Sequence, residues 1–194
     1  LHIASLTEKQ KAHVLPLQAN PPAQRRGLVA GLLGMRPDDE RIPDSFEIAR
    51  KMGLSYSFGI ANLTSAHPNS VVLEVKGKSG RTLEVQACSL GGGRIMINRL
   101  DGLDVNCSCE IPTLIVHNLD QPGHVAEVTS MLAHKSVNIA NMSLYRDKRG
   151  GSAVMVVEMD QPLPKESLEW LEHLEGIVKV TYINVTEGEE DDVL

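Results

Sequence analysis

Residues 112–144, PTLIVHNLDQPGHVAEVTSMLAHKSVNIANMSL, contain two strand-like runs that are separated by a polar turn and a helix-like stretch. The first run, Thr113–His117, is apolar, and the second begins at Val137. In the stretch between them, apolar residues recur at helical spacing, which predicts a helix with one buried face. The residues on that face are Val125, Val128, Met131 and Leu132. These residues therefore predict a strand–helix–strand unit.

The remainder of the second half extends this unit. Residues 147–151, Asp-Lys-Arg-Gly-Gly, suit a hairpin turn, because glycine adopts positive φ without strain. A second helix is predicted over Pro164–Glu175, with Trp170 as a core or interface anchor. Further strands are predicted over Val137–Arg146, Ser152–Met159 and Val178–Val185. The order β-α-β-β-α-β is the ferredoxin-like arrangement, and residues 186–194 form an acidic tail that we expect to be solvated.

The first half predicts a small α+β unit with an antiparallel meander. Residues 1–27 are polar and contain several prolines, so we expect an irregular lead-in. Helices are predicted around Thr7–Leu15, over Gly27–Gly34 and up to Met52, the last capped by Asp44 or Ser45 and ended by Gly53. Strands are predicted over Ser55–Ile60, Ser70–Lys76, Arg81–Leu90 and Arg94–Arg99. The predicted fold class of the whole chain is therefore α+β.

The composition limits the classes of function. At 194 residues the chain can form one large or two small domains, each with its own core. Aromatic residues make up 3% of the sequence and the formal net charge is −6, so neither base stacking nor non-specific nucleic-acid binding is favoured. No run approaches the roughly 18 apolar residues of a membrane span. Three cysteines without a secretory signal predict reduced thiols and a cytoplasmic protein.

The polar turn at residues 118–123 is the foremost candidate for a binding site. The N-terminus of the following helix carries unpaired backbone N–H groups and a positive partial charge, which suit a carboxylate. Asn118, Asp120 and Gln121 add donors and acceptors, and Asp120 could hold an ammonium group. Asn138, at the start of the next strand, is expected to reach the same place. Such a site suits an amino acid; the alternative is that the polar side chains only cap the helix and shape the turn.

The turn also contains a recognisable motif. Residues 120–123, Asp-Gln-Pro-Gly, are followed by Val137-Asn138-Ile139. Within the β-α-β-β-α-β order, this combination resembles the ACT domain family, whose members are small regulatory modules that pair and usually bind amino acids between subunits. The resemblance covers residues 111–185. It implies amino-acid contacts at Asn118, Asp120, Gly123, His124 and Asn138, with Ile139 beside them.

The first half carries motifs of its own. They are Gly31-Leu32-Leu33-Gly34, Asp39-Glu40-Arg41-Ile42, His67-Pro68-Asn69 and Ser89-Leu90-Gly91-Gly92-Gly93-Arg94-Ile95. Together they are similar to the family of beta chains of iron–sulfur-dependent bacterial L-serine dehydratases. That family joins an allosteric substrate binding domain to a C-terminal ACT domain, which implies boundaries at residues 28–106 and 111–185. Some D-3-phosphoglycerate dehydrogenases contain the same two modules, but the Ser-Leu-Gly-Gly-Gly and His-Pro-Asn motifs favour the dehydratase.

The resemblance implies a regulatory and assembly subunit of an enzyme that converts L-serine to pyruvate and ammonia. It implies a [4Fe-4S] cluster on a partner alpha chain, and L-serine binding with self-association at the ACT domain. The family's Ser-Ser-Ser-His-Thr and Gly-His-Thr segments are not found in residues 1–27. We therefore expect an incomplete first domain, a fragment or processed chain, and no activity of the chain alone. The competing interpretation is a non-catalytic amino-acid-sensing dimer related to the C-terminal part of D-3-phosphoglycerate dehydrogenase.

Two features of the first half have both a structural and a functional interpretation. Residues Gly91, Gly92 and Gly93 are not followed by the Gly-Lys-Ser/Thr of a phosphate-binding loop, so they predict a bulged hairpin or a loop that faces substrate or a partner chain. His67 is held extended by Pro68. It is either a proton-transfer or substrate-binding group, or a polar residue that fixes a loop through Asn69.

The cysteines and histidines allow a test for a metal centre. Residues two positions apart in a strand face the same side, so the sulfurs of Cys107 and Cys109 could both reach one metal. Together with Cys88, however, they form no spaced ligand run, and we expect no metal site in this chain. The histidines of the second half lack acidic partners at helical spacing and are predicted as surface or turn residues: His117, His124 and His134.

Overall fold

The computed structural model describes residues 11–16, 22–60, 66–77, 80 and 82–184, with the backbone alone for residues 11–16. The chain consists of two compact units, residues 1–106 and 107–194. Within the described ranges, no helix has the length and apolar composition that a membrane crossing requires. The fold class is α+β, as predicted, and the strands form two separate sheets.

The first sheet has six strands. They are β1 (Lys11–Pro16), β2 (Ser55–Phe58), β3 (Ser70–Lys76), β4 (Thr82–Gly91), β5 (Arg94–Leu100) and β6 (Leu103–Cys107). Their order is β2-β1-β3-β4-β5-β6. β1 and β2 pair in parallel, whereas β1–β3, β3–β4 and β4–β5 are antiparallel. The sheet thus contains the predicted strands of the first half and two that were not predicted, β1 and β6.

The presence of β1 contradicts part of the prediction for residues 1–27, which was an irregular segment with a short helix. The predicted helix around Thr7–Leu15 is wrong for residues 11–15, which belong to β1, and its first residues lie outside the described ranges. The local composition, with Lys, Gln and Ala, favours a helix. β1 nevertheless pairs with β2 on one side and β3 on the other, and such tertiary pairing overrides local propensity. Residues 1–27 are therefore not irregular throughout.

Two helices accompany this sheet. They are α1 (Pro22–Leu32) and α2 (Ser45–Lys51), the latter preceded by a 3₁₀ turn at Ile42–Asp44. α1 begins earlier than the predicted helix over Gly27–Gly34, with a proline in the first turn, where the missing N–H costs little. Phe46 of α2 stacks on Tyr56 at 5.4 Å between ring centroids, and the Arg25 guanidinium of α1 lies 5.3 Å from the centroid of Phe58. Both helices therefore contact the face of β2 that carries these rings.

The second unit has the predicted β-α-β-β-α-β order. Its elements are β7 (Thr113–Leu119), α3 (His124–His134), β8 (Ile139–Arg146), β9 (Ser152–Met159), α4 (Lys165–Glu172) and β10 (Ile177–Ile183). The sheet order is β10-β7-β9-β8, and all three pairs are antiparallel. This is the split arrangement of a ferredoxin-like fold. The periodicity of the sequence therefore predicted the topology of this unit correctly.

The core of the second unit is formed by β7, β9 and the inner faces of the helices. Its fully buried side chains include Leu114, Val116, Leu132, Val128, Met155, Val157 and Leu171. One prediction is wrong here, since Val125 is 39% exposed because His124 takes the inward position of the first turn of α3. Trp170 is 45% exposed and does not belong to the core, and its role as an interface anchor stays a prediction. Trp170 instead lines an open groove with Met131 between α3 and α4.

Candidate functional site

The turn after β7 contains a buried side chain with an unused acceptor. Asn118 is 4% exposed, and its Nδ2 donates to the backbone oxygen of Leu119 at 2.6 Å. Its Oδ1 is buried and has no hydrogen-bond partner among the described residues. A buried acceptor without a partner is unfavourable in an isolated fold. Asn118 Oδ1 could therefore accept a hydrogen bond from a donor outside the described residues, such as a bound ligand.

The N-terminus of α3 lies next to this side chain in sequence. Gly123 is the residue before the first helical turn, and its φ of 111° favours glycine. Among the described side chains, none caps the helix there. The structure thus shows no side-chain cap at this residue within its described ranges, and ligand binding at the turn stays a prediction. The first-turn N–H groups keep the partial positive charge that suits an anion.

Asp120 is engaged with the β8–β9 hairpin. Its Oδ2 accepts hydrogen bonds from the backbone N–H of Gly150 at 2.9 Å and from a guanidinium nitrogen of Arg146 at 3.2 Å, and its own N–H donates to Gly151 O at 2.8 Å. The Gly150 N–H and the Arg146 guanidinium hold the pKa of the Asp120 carboxyl below its usual range. The carboxylate predicted to hold a ligand ammonium thus already has an internal cation beside it.

Asn138 lies at the other end of the sheet from the turn. β7 and β8 are both antiparallel to β9, so they run parallel to each other. Leu119 is opposite Ser152, next to the end of β8, whereas Ile139 is opposite Met159, at the far end of β9. The eight residues of β8 span roughly 25 Å. The prediction that Asn138 reaches the turn within one chain is therefore wrong, because the β-α-β crossover returns the chain to the end of the sheet at which β7 begins.

The surroundings of Asn138 are polar. Its N–H donates to Gln161 Oε1 at 2.7 Å, and its Nδ2 donates to Asp160 Oδ2 at 2.6 Å. Ile139, which follows it, is partly buried against the core. The predicted contact residues thus form two groups, with Asn118, Asp120, Gly123 and His124 at one end of the unit and Asn138 and Ile139 at the other.

His124 is buried, which the sequence did not predict. Its Nδ1 lies 3.4 Å from Glu127 Oε2, and its Nε2 is buried with no hydrogen-bond partner in the described part of the chain. The ring lies against Gly176, which has a φ of 80°. His124 is therefore a packed residue at the helix start and not a surface or turn histidine, and the prediction that it lacks an acidic partner at helical spacing is wrong because Glu127 lies three residues on.

Two candidate segments lie in the first unit. His67 accepts a hydrogen bond from the Asn69 N–H at its Nδ1, 3.2 Å away, and its backbone oxygen accepts from Ser70 Oγ at 2.7 Å. These contacts agree with the loop-fixing interpretation of His67. Gly91 ends β4, and Gly92 and Gly93 form the turn to β5; the three φ values are 86°, 62° and 79°. All three are exposed, and a substrate-facing role for this turn remains a prediction.

The cysteines do not have the arrangement of cluster ligands. Cys107 and Cys109 are buried with their sulfurs 3.0 Å apart, in hydrogen-bond contact, whereas the cysteines of an iron–sulfur cluster bind separate irons. Cys88 belongs to the other compact unit. Within the described ranges, no three His, Cys, Asp or Glu side chains stand together as metal ligands. These residues therefore do not fit a [4Fe-4S] cluster.

Comparison with known proteins agrees with both halves of the chain. Residues 112–175 match the ACT domain family. The "Probable L-serine dehydratase, beta chain" of Bacillus subtilis is 33% identical over 156 residues, which cover 80% of this chain and 70% of that protein. The "L-serine dehydratase, beta chain" of Peptoniphilus asaccharolyticus is 32% identical over 161 residues, 82% of this chain and 72% of that one. A D-3-phosphoglycerate dehydrogenase of Methanocaldococcus jannaschii is 31% identical over 90 residues, 46% of this chain and 17% of its own length. By these similarities and its ACT domain, the chain belongs to the family of L-serine dehydratase beta chains.

Proposed function

We propose that this chain is the regulatory and assembly subunit of an L-serine dehydratase, and that its ACT domain binds an amino acid, with L-serine as the expected ligand. The similarity to two beta chains supports the first part. The second part is carried by two observations: the buried Oδ1 of Asn118 has no hydrogen-bond partner among the described residues, and Gly123, close to it in sequence, gives the start of α3 no side-chain cap. An amino acid has both of the groups that this pair requires, a carboxylate for the helix start and an ammonium donor for the oxygen.

The enzyme that we propose converts L-serine to pyruvate and ammonia with an alpha chain as partner. The alpha chain would carry the [4Fe-4S] cluster, which supplies a Lewis acid for the leaving hydroxyl group. The thiols of the present chain do not fit such a cluster, since two of them are in mutual contact. We therefore propose that this chain alone has no dehydratase activity, and that the complex functions in the cytoplasm, where its free thiols stay reduced.

Self-association would complete the amino-acid site. β8 is an edge strand, with β9 as its neighbour in the sheet of residues 113–183. If β8 pairs in antiparallel fashion with β8 of a second copy, the start of one strand lies beside the end of the other. Asn138 of one copy then approaches the end of the sheet that carries Asn118 and Asp120 of its partner. In this pairing, contact residues that lie far apart in one chain would come together across the interface between two copies.

Titration calorimetry tests the amino-acid site. L-serine injected into the purified chain should release or absorb heat, and Asn138→Ala should lower the affinity. Asn141→Ala is the matched control, because it removes the same amide three residues further along the chain, within β8. Equal affinities for both variants would remove Asn138 from the site, and the lack of heat with L-serine or any other amino acid would refute the sensor. D-serine as a second ligand measures stereospecificity.

The alternative function is a non-catalytic amino-acid-sensing dimer. The similarity to the Methanocaldococcus jannaschii dehydrogenase over 46% of the chain favours it. Co-expression with a cognate dehydratase alpha chain separates the two functions. A stable complex with L-serine dehydratase activity that neither chain has alone supports the subunit. Amino-acid binding without any complex supports the sensor dimer instead.

A further inference from the structure

The first residues of the second unit bring two thiols together. Cys107 and Cys109 are 2% and 3% exposed, and their sulfur atoms lie 3.0 Å apart. Two residues of an extended strand that face the same side are about 6.6 Å apart, at ~3.3 Å of rise per residue. The backbone must therefore leave the strand geometry to bring the sulfurs into contact, and β6 ends at Cys107.

The backbone of Cys109 shows how this contact is made. Its φ is 53°, in the left-handed region that residues with a side chain adopt at a cost. A positive φ turns the Cβ of Cys109 relative to the preceding peptide, and so changes the direction of its sulfur. Strained residues of this kind persist where their surroundings hold them, and they cluster at functional sites. This strained backbone holds the second thiol against the first.

Side-chain hydrogen bonds fix the residue between the two cysteines. Ser108 Oγ donates to Glu158 Oε1 at 3.2 Å and accepts from the Glu110 N–H at 3.4 Å. The thiol of Cys107 also points to Glu158 Oε1, 3.9 Å away. The other oxygen of Glu158 accepts from Asn141 Nδ2 of β8 at 2.9 Å. The thiol pair is thus linked through one carboxylate to the edge strand.

We propose that Cys107 and Cys109 are a redox site, which a small hydroperoxide converts to an intramolecular disulfide. The sulfur of Cys107 attacks the peroxide, the O–O bond breaks, and Cys107 becomes a sulfenic acid while the peroxide leaves as water or an alcohol. The sulfur of Cys109 then attacks the sulfenic sulfur, so that the S–S bond forms and a second water leaves. The two thiols are oxidised and the hydroperoxide is reduced.

The chemistry of the pair agrees with these roles. The hydrogen bond from Cys109 lowers the pKa of the Cys107 thiol, and the same contact raises the pKa of Cys109. The thiolate is the nucleophile in thiol oxidation, so Cys107 reacts first and Cys109 resolves. The pair has little exposed surface, which favours an oxidant of the size of hydrogen peroxide. Formation of the disulfide also removes the S–H group that faces Glu158.

Thiol counting on the full chain tests the proposal. The reduced chain has three free thiols in denaturant. Treatment with hydrogen peroxide at equimolar concentration should leave one, with a loss of two hydrogen atoms in the intact mass and no covalent dimer. Reduction with dithiothreitol should restore all three. Peptide mapping without reductant should place the new bond between Cys107 and Cys109.

Variants assign the two roles. Cys88→Ser is the matched control, since Cys88 is also buried but stands alone in β4, and it should still form the disulfide and keep no free thiol. Cys109→Ser should stop at a Cys107 sulfenic acid that dimedone traps, and Cys107→Ser should react at least tenfold more slowly. Wild-type chain that retains three thiols, or that loses them only through links between chains, would overturn the proposal irrespective of how the variants fold.

Discussion

The imidazole of His124 lies so close to Gly176 that a β-carbon built on Gly176 would be 2.5 Å from Nε2 of the ring. The contact joins the start of α3 to the turn before β10. That turn also accepts a hydrogen bond at Gly176 O from the N–H of Leu119 at 2.9 Å. Gly176 thus contacts both Leu119 of the predicted binding turn and the helix after it, and the sequence analysis did not identify this glycine as important.

Replacement of Gly176 by alanine should therefore destabilise the second unit. The φ of 80° alone costs roughly 1–2 kcal/mol for a residue with a β-carbon, and displacement of the ring adds roughly 1–3 kcal/mol. Gly150→Ala is the matched control, since its φ is 74° and no described atom would meet its β-carbon within 4 Å. Urea unfolding followed by the fluorescence of Trp170, the single tryptophan, measures both variants.

The ring contact can be separated from the backbone strain. In a His124→Ala background the obstructing ring is absent. Gly176→Ala should therefore lower the free energy of unfolding there by no more than Gly150→Ala lowers it in the wild type. If Gly176→Ala and Gly150→Ala lower the free energy of unfolding equally, the contact with His124 has no energetic consequence.

Asp120 should make the stability of the second unit depend on pH. Because the Gly150 N–H and Arg146 lower the folded-state pKa of its carboxyl, the contribution is fully present above the ordinary value of about 3.9 and is lost as the pH falls through the folded-state pKa. Asp120→Asn should weaken the dependence of the unfolding midpoint on pH below the ordinary carboxyl pKa of about 3.9, because the asparagine does not titrate. Asp38→Asn is the control, since Asp38 is an exposed residue of the first unit. A profile of Asp120→Asn identical to that of the wild type would contradict the prediction.

The success of sequence-based prediction differed between the two units for a physical reason. In the second unit, the apolar pattern of the sequence records the burial of the elements, as a continuous apolar run in β9 and at helical spacing in α3. In the first unit, β1 is short, contains lysine, histidine and proline, and exists because it pairs with strands that are distant in sequence. A strand that forms mainly through such long-range pairing has little periodicity in its own sequence, so it is hard to predict from the sequence.

The binding site shows a second limit. The motif and its chemistry predicted a role for the turn at residues 118–123 and for Asn138. The distance between the turn and Asn138, however, depends on which end of β8 lies beside the turn. That is a property of the crossover, and it places Arg146 next to Asp120. Likewise, the contact between Cys107 and Cys109 depends on a positive φ at a residue that is not glycine, which no composition rule indicates.

The proposed pairing of β8 with a second copy can be broken at one residue. Leu144 is 49% exposed on the edge strand, and Leu144→Lys would place a charge from each copy in the proposed interface between the two β8 strands. We expect the wild-type chain to sediment as a dimer and this variant as a monomer. Val178→Lys is the matched control, because Val178 is 70% exposed on β10, the opposite edge strand. Dissociation by Val178→Lys but not by Leu144→Lys would assign self-association to the other edge.

Asn118→Leu should separate stability from binding. Leucine has the same number and branching of side-chain heavy atoms as asparagine, although its methyl groups are larger, and it removes the buried Oδ1 that has no described partner, at the loss of the hydrogen bond from Nδ2 to Leu119 O. Loss of one modest hydrogen bond is offset by removal of an unsatisfied acceptor, so the larger side chain sets the cost, and the free energy of unfolding should fall by no more than about 1–3 kcal/mol. Binding of L-serine should be lost, because the acceptor for its ammonium group is gone. Thermal unfolding with and without L-serine measures both quantities, since a ligand that binds the folded state raises its Tm. A variant that is strongly destabilised would show that Asn118 is a structural residue, and one that keeps the full shift of Tm with L-serine would place the ammonium group elsewhere.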